Sequence, residues 1–130
     1  MTREEVDEKV AEAQDKAQQL SKESNDAGGL KYGPVTTIIV EKTGADKATV
    51  EEVIVGFMKK PTRAAKMMGM NYIAKQEIDR AGEVILTSSL IKEVSDPRLS
   101  DVSTDDNVFM SAALICVAEI EVYSAYVKKN

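Results

Sequence analysis

The sequence predicts a helix-dominated α+β fold: a long N-terminal helix, one β-hairpin, then about three further helices. Three observations predict it. A capping signal opens an apolar stripe of helical spacing at the N-terminus, two β-branched runs flank a short polar connection, and helical spacing resumes from Pro61 onward.

The first element begins at Thr2 and Glu5, a T-x-x-E capping box in which each side chain can satisfy an orphan backbone N–H of the other. Val6, Val10, Ala13, Ala17 and Leu20 then recur at spacings of four and three, a narrow stripe on one helical face. Two of these five residues are alanines, so the helix gains little by folding alone and needs a neighbour. The stripe is therefore expected to meet a partner or a second subunit, with residues 1–29 forming a charged arm and linker and residues 30–130 a compact domain. Of the net charge of −5, the arm contributes most: eight acids against four bases, compared with fourteen against thirteen in the remainder. Ser24 to Gly29 is rich in turn formers and ends the helix.

Val35-Thr36-Thr37-Ile38-Ile39-Val40 is β-branched throughout, and Val50 to Met58 contains Val53-Ile54-Val55 and Phe57. The link Lys42 to Lys47 suits an antiparallel pair. A lone two-stranded hairpin is marginal in water, so it must lie on helices or pair with another chain. Thr62 can cap a helix containing Ala64, Ala65, Met67, Met68, Met70 and Ile73. A second helix is expected through Ile78, Ala81, Val84, Ile85, Leu86, Leu90 and Ile91, with Gly82 as its weak point. Pro97 places Asp96 to Asp101 in a loop. The last helix is expected to begin near Ser103 or Thr104 and to run through Phe109, Ala112, Ala113, Cys116, Ile120, Tyr123 and Val127, with Lys128 and Lys129 at its negative end.

Composition narrows function. The chain has no histidine, which removes the commonest general base and excludes a Ser-His-Asp triad. Its single cysteine, Cys116, excludes a disulfide framework and sits between Ile115 and Val117, as a small buried hydrophobe does. Gly28-Gly29 and Lys31-Tyr32-Gly33 lack the phosphate-loop spacing. Asp96, Asp101, Asp105 and Asp106 do not follow a calcium-loop pattern, and the pairs Glu51-Glu52 and Glu119 with Glu121 have no fold to converge them. No enzyme, no cofactor and no metal is expected. The N-terminus is acidic where a signal peptide is basic, and the apolar run Val108 to Ala118 is too short to span a bilayer, so a cytoplasmic protein is expected.

Two features point toward binding. Lys59, Lys60, Arg63, Lys66 and Lys75 form a basic stretch with no acid among them. In a net-negative chain with Tyr72 the one aromatic among them, this disfavours nucleic acid and suits an acidic protein surface or solvent. Met67, Met68 and Met70 follow Met58; flexible thioethers fill core gaps or adapt to partner shapes. Consecutive residues 67 and 68 point about 100° apart on a helix, so at least one methionine leaves the core stripe.

Lys31-Tyr32-Gly33 before a hairpin, Phe57-Met58-Lys59-Lys60-Pro61-Thr62-Arg63 leading into helices, and the acidic loop Ser95 to Asn107 before a last apolar helix form a layout. Over residues 30–130 it resembles small tailed-phage and prophage tail assembly chaperones, although Ser95-Asp96-Pro97 stands where that group carries Gly-Asp. The resemblance implies a non-enzymatic assembly factor in the host cytoplasm that holds a tail or capsid component, such as a tape-measure protein. The alternative is a virion structural subunit, a connector, decoration or small coat protein whose N-terminal arm embraces a neighbour. Either way a homo-oligomer is expected. The partner-facing residues are then Val6, Val10, Ala13, Ala17 and Leu20 on the arm, with Lys59, Lys60, Arg63, Lys66, Met67, Met68 and Met70 after the hairpin.

Overall fold

A two-stranded antiparallel hairpin lies between a single helix on one face and a layer of helices on the other. The computed structural model describes residues 1–46, 48–100, 105–120 and 125–129. Helix α1 (Arg3–Lys22) precedes strands β1 (Val35–Thr43) and β2 (Val50–Lys59), followed by α2 (Arg63–Ala74), α3 (Ile78–Ser89) and α4 (Asp106–Cys116). This is the α+β order the sequence predicts.

The hairpin's alternation creates both layers. Ile38, Val40, Ile54 and Met58 point to one face, where they join Ile85 and Leu86 of α3, Phe109, Ala112 and Cys116 of α4, and the loop residue Leu99. Phe57 points to the other face, with Ile39 and Val55 half-buried beside it, and meets Ala13, Ala17 and Leu20 of α1 and the loop residue Ile91. Cross-strand pairs keep the faces separate: Ile38 lies opposite Gly56 and Val40 opposite Ile54, whereas Ile39 lies opposite Val55 and Thr37 opposite Phe57. Helix α2 packs on α3, where Gly69 leaves room for the Ile120 side chain.

Local signals explain the boundaries. The Thr2–Glu5 capping box is formed in both directions, Thr62 Oγ1 accepts from the Ala65 N–H at 3.1 Å, and Asp105 accepts from the Val108 N–H at the start of α4. Asn25 Oδ1 accepts from the N–H groups of Ala27 and Gly29, turning the chain after α1.

Three expectations are corrected. The stripe of α1 is covered by the chain's own hairpin: Val6, Ala13, Ala17 and Leu20 are buried and Val10 is half-buried. The thin stripe finds its neighbour in Phe57 and Ile91 rather than in a second subunit. Leu90 and Ile91 are not part of α3; Leu90 leaves the helix in extended conformation and bridges to Met58. Their apolarity follows from packing on the hairpin, not from helical period. Finally, α4 ends at Cys116 and continues only as a short 3-10 turn, Val117–Glu119. Val127 is exposed and Lys128 and Lys129 lie outside any helix. The expected start at Ser103 or Thr104, and Tyr123, lie outside the described residues. Phe109, Ala112, Ala113, Cys116 and Ile120 are buried as expected.

Candidate functional site

Chemistry first. Cys116 is buried among apolar side chains, with its sulfur 3.9 Å from that of Met58. Burial pushes its thiol up to about 11, with Glu119 adding to the shift, the reverse of what a nucleophilic cysteine requires. No group of three or more metal-ligating side chains occurs among the described residues. No described helix is long and apolar enough to cross a membrane.

The most connected polar cluster is Arg98 with Glu52 and Asp96. The guanidinium donates to both Glu52 oxygens, at 2.8 and 2.7 Å, and to both Asp96 oxygens, at 2.9 and 2.8 Å. Those hydrogen bonds hold the Glu52 and Asp96 carboxyls below their ordinary range and raise the guanidinium further. With all three groups committed to one another, the cluster ties the loop after α3 to β2 and leaves no free acid or base within it.

Exposed surface carries more. The Arg63–Ala74 helix turns Ala65 and Gly69 inward, with Tyr72 and Ile73 half-buried on the same side. Met67, Met68 and Met70 face outward at 55%, 49% and 45% exposure, so core filling is overturned for all three; only Met58 is buried. In the same stretch of sequence Lys59, Lys60, Arg63 and Lys75 are exposed and Lys66 is half-exposed. None of the five forms an ion pair among the described residues. Arg63, Lys66 and the three methionines thus occupy outward positions of α2, with Lys59, Lys60 and Lys75 next to its ends, while the α1 stripe packs on the other cluster of the hairpin.

A second apolar surface was not legible as a site. Helix α4 buries Val108, Phe109, Ala112, Ala113 and Cys116, yet also exposes Met110, Leu114 and Ile115, and Ile78 of α3 stands nearby. Ile78, Met110, Ala113 and Leu114 line an open groove of about 850 Å³ between the two helices. The run Val108 to Ala118, broken only by Ser111, carried the signal, because a helix apolar on most sides has more than one face to cover.

The hairpin's two edges differ. Along β2, the Ile91 N–H donates to the Phe57 carbonyl at 2.8 Å and the Asp96 N–H to the Val55 carbonyl at 3.1 Å. Ser95 Oγ accepts from the Phe57 N–H at 2.9 Å. Along β1, the Val35 N–H donates to Ser21 Oγ, and beyond it no described residue bonds to the outer edge of Thr37, Ile39 or Glu41.

No family model, curated protein or solved structure matches the chain.

Proposed function

We propose that this chain is a non-enzymatic assembly factor of the tail-chaperone type, acting through protein–protein contacts on the outer surface of α2. The observation that carries the proposal is the exposure of Met67, Met68 and Met70 on α2, in a stretch whose lysine and arginine side chains form no ion pair among the described residues. Exposed thioethers conform to differently shaped apolar partners at little steric cost. The cations of that stretch orient an acidic partner and discourage a basic one. A tail or capsid component presenting apolar and acidic residues on one helical face fits both requirements, and the host cytoplasm during assembly is where it would be held.

The test is co-expression with an aggregation-prone phage tail component, a tape-measure protein being the first choice. The chain is expected to raise the client's soluble fraction several-fold. Replacing Met67, Met68 and Met70 by Ser together, or Lys59 and Arg63 by Glu, is expected to remove that gain while circular dichroism stays unchanged. A client kept soluble equally well by both variants overturns the α2 surface. Recovery of the chain in finished particles, with no effect on client solubility, favours the virion-subunit reading instead.

A further inference from the structure

We propose that the chain forms a two-fold homodimer in which β1 pairs antiparallel with β1 of a second copy, joining the hairpins into a four-stranded sheet flanked by the outer faces of the two α4 helices. The inference is independent of the assembly reading, since a monomer could serve a client and a dimer could do other work.

It begins with the ladder. The Val55 carbonyl and both backbone groups of Phe57 point away from β1, to residues 90–96. In an antiparallel ladder, directly opposed residues either exchange both hydrogen bonds or both face outward. Ile39 opposes Val55 and Thr37 opposes Phe57, so the N–H and C=O groups of Thr37 and Ile39 face outward on β1, and those of Glu41 follow two residues on. No described residue takes them. Proteins blunt such edges with proline, charge, bulges or a covering segment. Here β2 has the covering segment, whereas β1 presents Val35 to Val40 with no proline and no charge, and its register is regular up to Lys42.

The uncovered face of α4 lies beside this same edge. Lys42 on β1 pairs with Asp105 at the start of α4 at 3.4 Å. A groove of about 320 Å³ is lined by Val40, Lys42, Asn107 and Ser111, and Asn107 and Ser111 also border the apolar groove of Met110 and Leu114. Among the described residues, the open strand edge and the exposed helix face therefore adjoin through Asn107 and Ser111.

A second copy suits this surface better than a foreign strand. An extended peptide would satisfy β1 and leave Leu114 and Ile115 exposed; a two-fold related copy brings its own strand and its own helix together. The register follows from the strand itself. Centring the two-fold on Ile39 pairs Thr36 to Lys42 of the two copies, places Glu41 of one opposite Thr37 of the other, places Lys42 opposite Thr36, and leaves the Val35 N–H with Ser21. Centring it on Glu41 or Lys42 sets like charges directly opposite one another, which is destabilising. Val35 to Val40 and Asn107 to Ala118 contain no charged side chain, and of the charges that border them Lys42 is paired with Asp105, so the −5 on each chain lies mostly away from the approach.

Sedimentation of the full chain is expected to give twice the monomer mass of 14.2 kDa, and hydrogen exchange at the Thr37, Ile39 and Glu41 amides is expected to be at least tenfold slower at dimeric than at monomeric dilution. Thr37→Pro removes one outward N–H, and Leu114→Asp places a charge on the outer α4 face. Each is expected to halve the mass while circular dichroism is retained. Should Thr37→Pro unfold the chain, Leu114→Asp and the exchange pattern decide. A monomer at 100 µM overturns the proposal, as does a dimer that both folded variants preserve or one whose β1 amides exchange freely. A monomer whose β1 amides become protected only on adding an extended peptide also overturns it, in favour of strand addition.

Discussion

At the scale of single residues, Gly82 and Ser89 of α3 carry the sharpest expectations. A Cβ on Gly82 would overlap the carbonyl oxygen of Ala113, so this glycine is what allows α3 and α4 to approach backbone to backbone. The sequence marks it as a weak point for helix propensity; its role is in the crossing. Gly82→Ala gains about 1 kcal/mol in propensity but forces the helices apart, and overpacking of this kind costs about 1–3 kcal/mol or more. The expected net result is a lower thermal midpoint, measurable by circular dichroism; an unchanged or raised midpoint would contradict the close approach. Ser89 is the opposite case. It is 2% exposed, and its hydroxyl has no hydrogen-bond partner among the described residues. An unsatisfied buried hydroxyl costs about 1–3 kcal/mol, so Ser89→Ala should raise the denaturant midpoint with no change in its slope. A destabilised variant would mean that the hydroxyl is satisfied.

Among the elements, legibility followed the range of the interactions involved. Caps and strands depend on neighbours in sequence, and Thr2, Thr62 and the β-branched run at Val35 announce themselves. Leu90 and Ile91 extend the helical spacing of α3 by coincidence, because the hairpin they cover is more than thirty residues away in the chain. The exposed methionines of α2 were ambiguous for the same reason: only the placement of α3 decides which side of α2 is inward. The Arg98 clamp has no sequence signature at all, since Glu52 joins it from β2. Its pH behaviour is nevertheless determined. Glu52 and Asp96 have depressed folded-state values, so their contribution to stability is complete above the ordinary carboxylate range and is lost as pH falls through the folded values. Comparing wild type with Arg98→Gln by urea unfolding, the stability difference should be constant from about pH 5 to 7 and shrink below about pH 4. A difference that persists undiminished at pH 2 would assign the effect to packing instead.

For the whole molecule, the hairpin belongs to both apolar clusters, one facing α1 and the other facing α3 and α4, and the loop after α3 reaches both through Leu99 and Ile91. The division into an arm and a compact domain arises naturally from the sequence, because charge and alanine content change near Gly29 and nothing local reveals that Phe57 lies beneath α1. Packing ties them together. Helix α1 carries only three residues, Ala13, Ala17 and Leu20, in the cluster it shares with Phe57 and Ile91, and its N-terminal end is fixed by the Arg3–Glu41 ion pair at 3.1 Å and the terminal amine on the Val50 carbonyl at 2.8 Å. Exposed ion pairs contribute at most about 1 kcal/mol, so the apolar contact decides whether α1 behaves as a layer. Truncating Phe57, which is 2% exposed, removes the largest member of that contact, at a cost of about 3–5 kcal/mol. If α1 is a layer of one cooperative unit, wild type melts in a single transition, and Phe57→Ala lowers that transition for the whole helical signal at once. Deleting residues 2–24 then leaves a chain that exposes Phe57 and Ile91 and melts lower or aggregates. If α1 is an arm, Phe57→Ala splits the melt, with about a helix of signal lost first, and residues 30–130 keep the midpoint of the full chain after deletion.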